Sequence, residues 1–154
     1  DYVEAHNNLG LALGSKGLYD EAIKHYRHAI KMQPDFAEAY NNLGLAYEAN
    51  RLMYKAIEQY RTALGLKPGF AEAHNNLGLA LASQGDYGEA IEQYKQALKY
   101  KPEEIGARYN LGLAYLSTGQ GEKARSEFAA VLKVDPDHQA RQFLKHIPPP
   151  NPMN

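Results

Sequence analysis

Apolar residues recur along the chain at the spacing of one helical face, in short segments that glycine and proline separate. In the first segment, Ala5, Leu9 and Ala12 share a face, and a turn signal follows at Gly17. A second apolar face then consists of Ala22, Ile23, Tyr26, Ala29 and Ile30. Because Pro34 ends this second segment, the pattern predicts two amphipathic helices joined by a tight turn.

The same pattern returns every 34 residues. The pentapeptide Asn-Leu-Gly-Leu-Ala starts at Asn8, Asn42, Asn76 and Asn110. Three further series keep this period: Ala22, Ala56, Ala90 and Ala124; Tyr26, Tyr60, Tyr94 and Phe128; Pro34, Pro68, Pro102 and Pro136. A strict period of this length predicts stacked repeats, in which each helical hairpin buries its apolar face against its neighbours.

The glycine of each pentapeptide lies inside a predicted helix. Gly10 there costs roughly 1 kcal/mol relative to alanine. We expect close packing of the paired helix to offset this cost, with the small residues Ala22 and Ala29 on the facing side.

The order Leu-Gly, Ala, aromatic, Ala, Pro resembles the tetratricopeptide repeat (TPR) family over residues 3 to about 147. The resemblance implies an all-α fold, a right-handed α-solenoid superhelix of four helix-turn-helix units at about residues 3–36, 37–70, 71–104 and 105–138. Two local departures are Arg51, where the other repeats have a turn glycine, and Val131, which replaces a small alanine. The family's usual Trp is replaced by His6, Tyr40, His74 and Arg108.

A further helix is predicted after the fourth repeat. Asp135-Pro136-Asp137 is a helix-start signal, and the apolar stripe that follows is Ala140, Phe143, Leu144 and Ile147. The sequence therefore predicts a TPR domain over residues 1–147 with a capping helix over about residues 137–147. The first repeat has no such cap, so we expect its outer face to be open and the chain to be part of a longer protein.

A proline-rich tail follows over residues 148–154. Its prolines favour an extended polyproline II path, which cannot join the capping helix. We expect this tail to rest on a neighbouring molecule, with docking beside Leu45 and Leu79 of a second copy as one arrangement.

Each first helix carries another stripe, which in the first repeat is Glu4, Asn8, Leu11 and Ser15. The resemblance implies that first helices line the concave side, so the stripes should stack into two rows. The polar row is Asn8, Asn42, Asn76 and Asn110, with companions Asn7, Asn41 and Asn75. The apolar row is Leu11, Leu45, Leu79 and Leu113.

The asparagine row is a candidate peptide-binding surface, because an amide offers the donor and the acceptor that a peptide backbone needs. The row is similar to the TPR superhelix of O-linked N-acetylglucosamine transferases, whose asparagines at the matching place hold the substrate's backbone. Two alternatives stay open: the asparagines bond to a neighbouring helix as structural spacers, and the leucines are partly buried by the superhelix. On the binding hypothesis, Asn42→Ala with Asn76→Ala should weaken peptide binding and leave the melting temperature nearly unchanged.

Two glutamates, Glu38 and Glu72, belong to the same stripe. If they project into the groove, the ligand should be neutral or basic; alternatively, they only favour the helix dipole from the first turn. The groove positions carry no Lys or Arg, so a clamp for a peptide's terminal carboxylate is not expected.

Composition and charge exclude several function classes. The 17 basic and 18 acidic residues leave a net charge of −1, which gives no electrostatic attraction for nucleic acid or an anionic membrane. No cysteine is present, and no apolar run approaches the ~20 residues of a membrane span. The segment at residues 10–17 lacks the order of a phosphate loop, and Lys24 and Arg27 crowd the pair His25 and His28. No catalytic residue, metal site or cofactor is predicted.

The leading hypothesis is a non-enzymatic scaffold that binds an extended or helical peptide segment of a protein partner in its concave groove. One alternative is the substrate-recognition arm of a larger enzyme, such as a glycosyltransferase. Another is a self-assembling structural unit that associates through the uncapped first repeat or the tail. A soluble, cytoplasmic location is favoured, although the sequence does not specify the compartment.

Overall fold

The computed structural model describes residues 2–147 of the 154-residue chain. This part of the chain folds entirely into helices and the turns between them. The helices are α1 (Tyr2–Ser15), α2 (Tyr19–Met32), α3 (Ala37–Ala49), α4 (Met53–Leu66), α5 (Ala71–Ser83), α6 (Tyr87–Tyr100), α7 (Ile105–Ser117), α8 (Gly121–Val134) and α9 (Ala140–Leu144).

The first eight helices form four hairpins, and each hairpin packs against the next. The second helix of each hairpin contacts the first helix of the following one, and successive first helices also touch. The predicted all-α solenoid of four helix-turn-helix units is confirmed. We call the surface formed by the leucine and asparagine rows of α1, α3, α5 and α7 the groove.

Glycine and an aromatic ring pack together at the centre of every hairpin. A Cβ added to Gly44 would lie 2.5 Å from Cε1 of Tyr60, which is fully buried. Gly10, Gly78 and Gly112 meet Tyr26, Tyr94 and Phe128 in the same way. The close helix approach that offsets the cost of a helical glycine is therefore present in all four repeats.

The turn inside each hairpin reverses the chain through one residue with a positive φ. This residue is Gly17, Gly85 or Gly119 in three repeats, and Arg51, with φ of 60°, in the second. The following residue donates its N–H to a carbonyl of the preceding helix, as Leu52 does to Tyr47 at 2.8 Å. This is the bond pattern that ends a helix in a left-handed residue, which glycine adopts most cheaply.

The predicted capping helix is shorter than about residues 137–147, since α9 covers only Ala140–Leu144. Asp135 and His138 instead hold a turn before it, by accepting the backbone N–H groups of Asp137 and Ala140 at 3.2 Å and 3.1 Å. The helix cannot continue to its predicted end, because Ile147 precedes a proline, which disfavours helical backbone.

The apolar stripe of the cap nevertheless packs as predicted. Ala140 and Ile147 are buried, while Phe143 and Leu144 are half-buried against the core. Arg125 of α8 donates to the carbonyl of Ile147 and holds the end of this segment. The predictions for the tail at residues 148–154 lie outside the described residues.

The outer face of α1 is open, unlike the matching face of α3. Leu9 is 46% exposed, whereas its counterpart Leu43 is 3% exposed. The second helix of the preceding hairpin covers Leu43, and no such helix precedes α1 among the described residues.

Candidate binding groove

The asparagines of the groove bond to each other between neighbouring repeats. The Nδ2 group of one first helix donates to the Oδ1 atom of the companion asparagine on the preceding first helix. The bonds are Asn42 to Asn7 at 3.0 Å, Asn76 to Asn41 at 3.0 Å and Asn110 to Asn75 at 3.2 Å. This arrangement matches the structural alternative, in which the asparagines bond to a neighbouring helix.

The row of asparagine bonds ends at the first repeat on one side and at the cap on the other. Asn8, in α1, is exposed and has no companion before it among the described residues. In the fourth repeat the companion is replaced by Tyr109, and the next element is the cap. The Tyr109 ring packs against His138 and Phe143, with ring centroids 4.8 Å and 6.2 Å away. The break in the sequence pattern at Tyr109 therefore has a packing reason.

These bonds leave part of the Asn42 and Asn110 amides for a ligand. An asparagine side chain has two N–H donors and an oxygen that accepts twice, and each inter-repeat bond uses one donor. Asn42 and Asn110 are half-buried, whereas Asn76 is only 9% exposed. The expectation that Asn42→Ala with Asn76→Ala would leave the melting temperature unchanged must be revised, since both substitutions break bonds between repeats.

The leucine row presents an open apolar surface. Leu11, Leu45 and Leu79 are 46%, 39% and 40% exposed, so the curvature of the solenoid does not cover them. Leu113 is more deeply placed and packs against the core beside the cap. Three of the four predicted leucines are therefore available to a ligand.

The two predicted glutamates of the groove have partners within the protein. Glu38 accepts a hydrogen bond from Lys67 Nζ at 2.6 Å, and this ammonium group holds the pKa of the carboxyl below its usual value. Glu72 Oε1 accepts from Asn41 Nδ2 at 3.3 Å. The Glu72 contact joins the second and third repeats, and the Glu38 contact lies within the second repeat, so much of the polarity of both carboxylates is used inside the stack.

Glu48 is a groove residue that the repeat pattern did not predict. Its Oε2 atom accepts a hydrogen bond from Tyr60 Oη at 2.8 Å. Burial, and then the nearby carboxylate, raise the pKa of Tyr60. The signal in the sequence was a break in the repeat, because this position is Gly14, Ala82 and Leu116 in the other units.

Two cavities open on the groove, and we call them the first and second sockets. The first, of about 210 Å³, is lined by Leu11, Gly14, Ser15, Tyr19, Tyr26, Asn42, Leu45 and Ala46. The second, of about 490 Å³, has the counterpart of each of these residues two periods later: Leu79, Ala82, Ser83, Tyr87, Tyr94, Asn110, Leu113 and Ala114. The cap adds Phe143 to the wall of the second socket.

The position of the family's usual Trp joins the two helices of the first, third and fourth hairpins. Arg108 donates to Glu127 of α8 and to the carbonyl of Pro102, both at 2.9 Å. His74 makes the matching contacts to Gln93 and to Pro68. His6 contacts His25 at 2.9 Å between their Nδ1 atoms. In these three repeats the partner is the same position of the second helix.

Two other features are absent from residues 2–147. No group of three or more His, Cys, Asp or Glu side chains is arranged there to hold a metal ion. None of the helices in that range has the length and apolar character needed to cross a membrane.

Comparison with protein families agrees with the fold. Models described as tetratricopeptide repeat match residues 37–70, 55–104 and 81–147, and one described as TPR repeat matches residues 15–50. The chain belongs to the tetratricopeptide repeat family. No curated protein matches the sequence significantly.

Several solved structures resemble most or nearly all of this chain. A crystal structure of MamA is 32% identical, with a TM-score of 0.80, and the match covers 85% of this chain and 77% of that one. A second MamA structure is 27% identical over 95% of this chain and 80% of its own, with a TM-score of 0.87. For pilF of Pseudomonas aeruginosa the identity is 24% and the TM-score 0.83, over 97% and 78% of the two chains, which shows the fold alone.

Proposed function

We propose that this TPR chain is a non-enzymatic scaffold that binds an extended peptide segment of a protein partner in the groove. The observation that carries the proposal is the exposed leucine row beside the asparagine row, with a socket at each end. Apolar side chains of the ligand would enter the sockets, and amides would meet its backbone.

The spacing of the stack supports an extended ligand. Neighbouring packed helices lie about 8–10 Å apart. An extended chain rises about 3.3 Å per residue, so each repeat would meet about three ligand residues. Four repeats would then hold roughly 12 residues.

The amides favour such a ligand because they repeat in register with it. Asn42 and Asn110 each keep a second N–H and the carbonyl oxygen beyond the inter-repeat bond. An extended backbone in the polyproline II form repeats every three residues and has no internal hydrogen bonds, whereas the groups of a helical backbone bond internally.

The proposal is tested by selecting random 12-residue peptides displayed on phage against the immobilised protein. The comparison is a groove variant with Leu45→Glu and Leu79→Glu. The control is Leu66→Glu, because Leu66, on α4, is 42% exposed and does not line either socket. We expect peptides enriched on the wild type and on Leu66→Glu to lose at least about tenfold in affinity, or 1.4 kcal/mol, for the groove variant. Equal binding to all three proteins would refute the groove as the binding site.

A further inference from the structure

The middle of the groove differs chemically from its two ends. Gly14 lines the first socket and Ala82 lines the second. The matching position of the second repeat lies between the two sockets, and a small residue there would open a third socket. This position holds Glu48, whose carboxylate reaches Tyr60 of α4. The groove therefore carries, in order, an apolar socket, a carboxylate and a second apolar socket.

The carboxylate is not needed to satisfy the tyrosine. Tyr26 and Tyr94 occupy the same buried slot as Tyr60. The Tyr26 hydroxyl lies beside Gly14, Tyr94 lines the second socket with Ala82, and neither Gly14 nor Ala82 has a polar side chain. The fourth repeat has Phe128 in the slot, with no hydroxyl at all. Because the slot accepts all three arrangements, packing does not require the bond between Tyr60 and Glu48. The bond instead positions the carboxylate.

Half of the Glu48 carboxylate remains for a ligand. Tyr60 bonds to Oε2, and over residues 2–147 no hydrogen bond or ion pair is recorded to Oε1. The side chain is half-buried, which weakens screening by solvent and strengthens its interaction with a cation. Glu38, by contrast, already pairs with Lys67.

We propose that the groove selects extended peptides in which a Lys or Arg is flanked on each side, three residues away, by an apolar residue. The inference rests on the proposed function and specifies its ligand. The basic side chain would bond to Glu48, and the two apolar side chains would fill the sockets. One repeat corresponds to about three residues of an extended chain in the polyproline II form, which rises about 3.1 Å per residue and returns every third side chain to the same side, and this sets the spacing.

The sockets also differ in size. The second, at about 490 Å³, is more than twice the volume of the first, at about 210 Å³, and Phe143 of the cap adds an aromatic wall that the first socket lacks. The second socket suits an aromatic side chain, and the first suits a leucine, valine or methionine. The two apolar positions of the ligand should therefore not be equivalent.

The experiment selects the same phage-displayed random 12-residue peptides on four immobilised proteins: the wild type, Glu48→Gln, Glu58→Gln and the groove variant with Leu45→Glu and Leu79→Glu. Glu58→Gln is the matched control, because it removes one carboxylate from an exposed position on α4. We expect the wild type and Glu58→Gln to enrich the motif. Glu48→Gln should keep the two apolar positions and lose the preference for Lys or Arg between them.

A synthetic copy of an enriched peptide gives a second measurement that does not depend on the folding of a protein variant. Replacing its central Lys or Arg with Gln should weaken binding to the wild type roughly tenfold, or 1.4 kcal/mol, and the loss should shrink at high salt. Replacing another residue of the peptide outside the three motif positions should change affinity far less.

The outcomes separate the two proposals. Enriched peptides without a central basic residue, or the same basic preference on Glu48→Gln, would overturn the inference about Glu48 and leave groove binding intact. If the wild type enriched no peptide beyond the level of the groove variant, both proposals would fall together.

Discussion

At the scale of single residues, the departures from the repeat carry the information about this particular TPR protein. Arg51 replaces a turn glycine, Tyr109 replaces a companion asparagine, and Glu48 replaces a small residue. The structure gives each departure a different meaning: Arg51 holds an unfavourable backbone, Tyr109 packs on the cap, and Glu48 places a carboxylate in the groove.

Arg51→Gly should stabilise the protein. Arg51 has φ of 60°, and a left-handed conformation costs a residue with a Cβ about 1–2 kcal/mol. Part of this gain is lost to the greater freedom of glycine in the unfolded chain, so we expect a net increase of about 0.5–1 kcal/mol in the free energy of unfolding. The measurement is urea denaturation.

The reverse change is the control for that prediction. Gly85 has φ of 84° at the matching turn of the third repeat, and Gly85→Arg should lower the free energy of unfolding by a similar amount. A loss of stability in both variants would mean that the Arg51 side chain contributes more than its backbone costs.

At the scale of elements, the two helices of each hairpin are held together by a glycine against an aromatic ring. This contact explains why a residue that is poor for helices recurs in the middle of α1, α3, α5 and α7. Helix formation and helix packing make opposite demands at this position, and packing decides the residue.

Gly44→Ala tests this balance. The new Cβ would lie 2.5 Å from Cε1 of the Tyr60 ring, so one of the two helices must shift. Overpacking of this kind costs about 1–3 kcal/mol, which outweighs the gain in helix propensity, and the free energy of unfolding should fall. Gly65→Ala in α4 is the control, because its Cβ meets nothing within 4 Å and should stabilise by up to about 1 kcal/mol. Equal effects of the two substitutions in urea denaturation would contradict this account.

At the scale of the whole molecule, the asparagine bonds connect each repeat to the next. They join first helices that otherwise touch little, because most contact between hairpins runs from a second helix to the following first helix. In a solenoid, such interfaces make unfolding cooperative across the stack. The same row of amides thus serves stability, and in our proposal it also serves peptide binding.

Asn76→Ala should lower the stability of the stack. The substitution removes the donor to Asn41 Oδ1 and leaves that oxygen, on a side chain that is 1% exposed, without its partner. An unsatisfied buried acceptor costs about 1–3 kcal/mol. Asn8→Ala is the matched control, because Asn8 is exposed at the same position of the first repeat, and its change should stay within about 0.5 kcal/mol. Equal melting curves for both variants would show that the bonds contribute nothing to stability.

The sequence by itself determined the repeat, the helices of the hairpins, and the leucine and asparagine rows of the groove. A period of 34 residues was enough, because each unit repeats the same local contacts, such as Gly44 with Tyr60. The leucine row could also be placed on one face, since residues three and four apart on a helix are neighbours.

Only the tertiary structure decided which atoms of those residues form hydrogen bonds within the protein. The bond between Asn76 and Asn41 joins the third repeat to the second. Which residue Asn76 contacts depends on the rotation of one first helix against the next. The position of the Glu48 carboxylate depends on the bond from Tyr60 of α4, and α9 begins late because of turn contacts at Asp135 and His138. Periodicity describes one helix at a time, whereas these features arise where two elements meet.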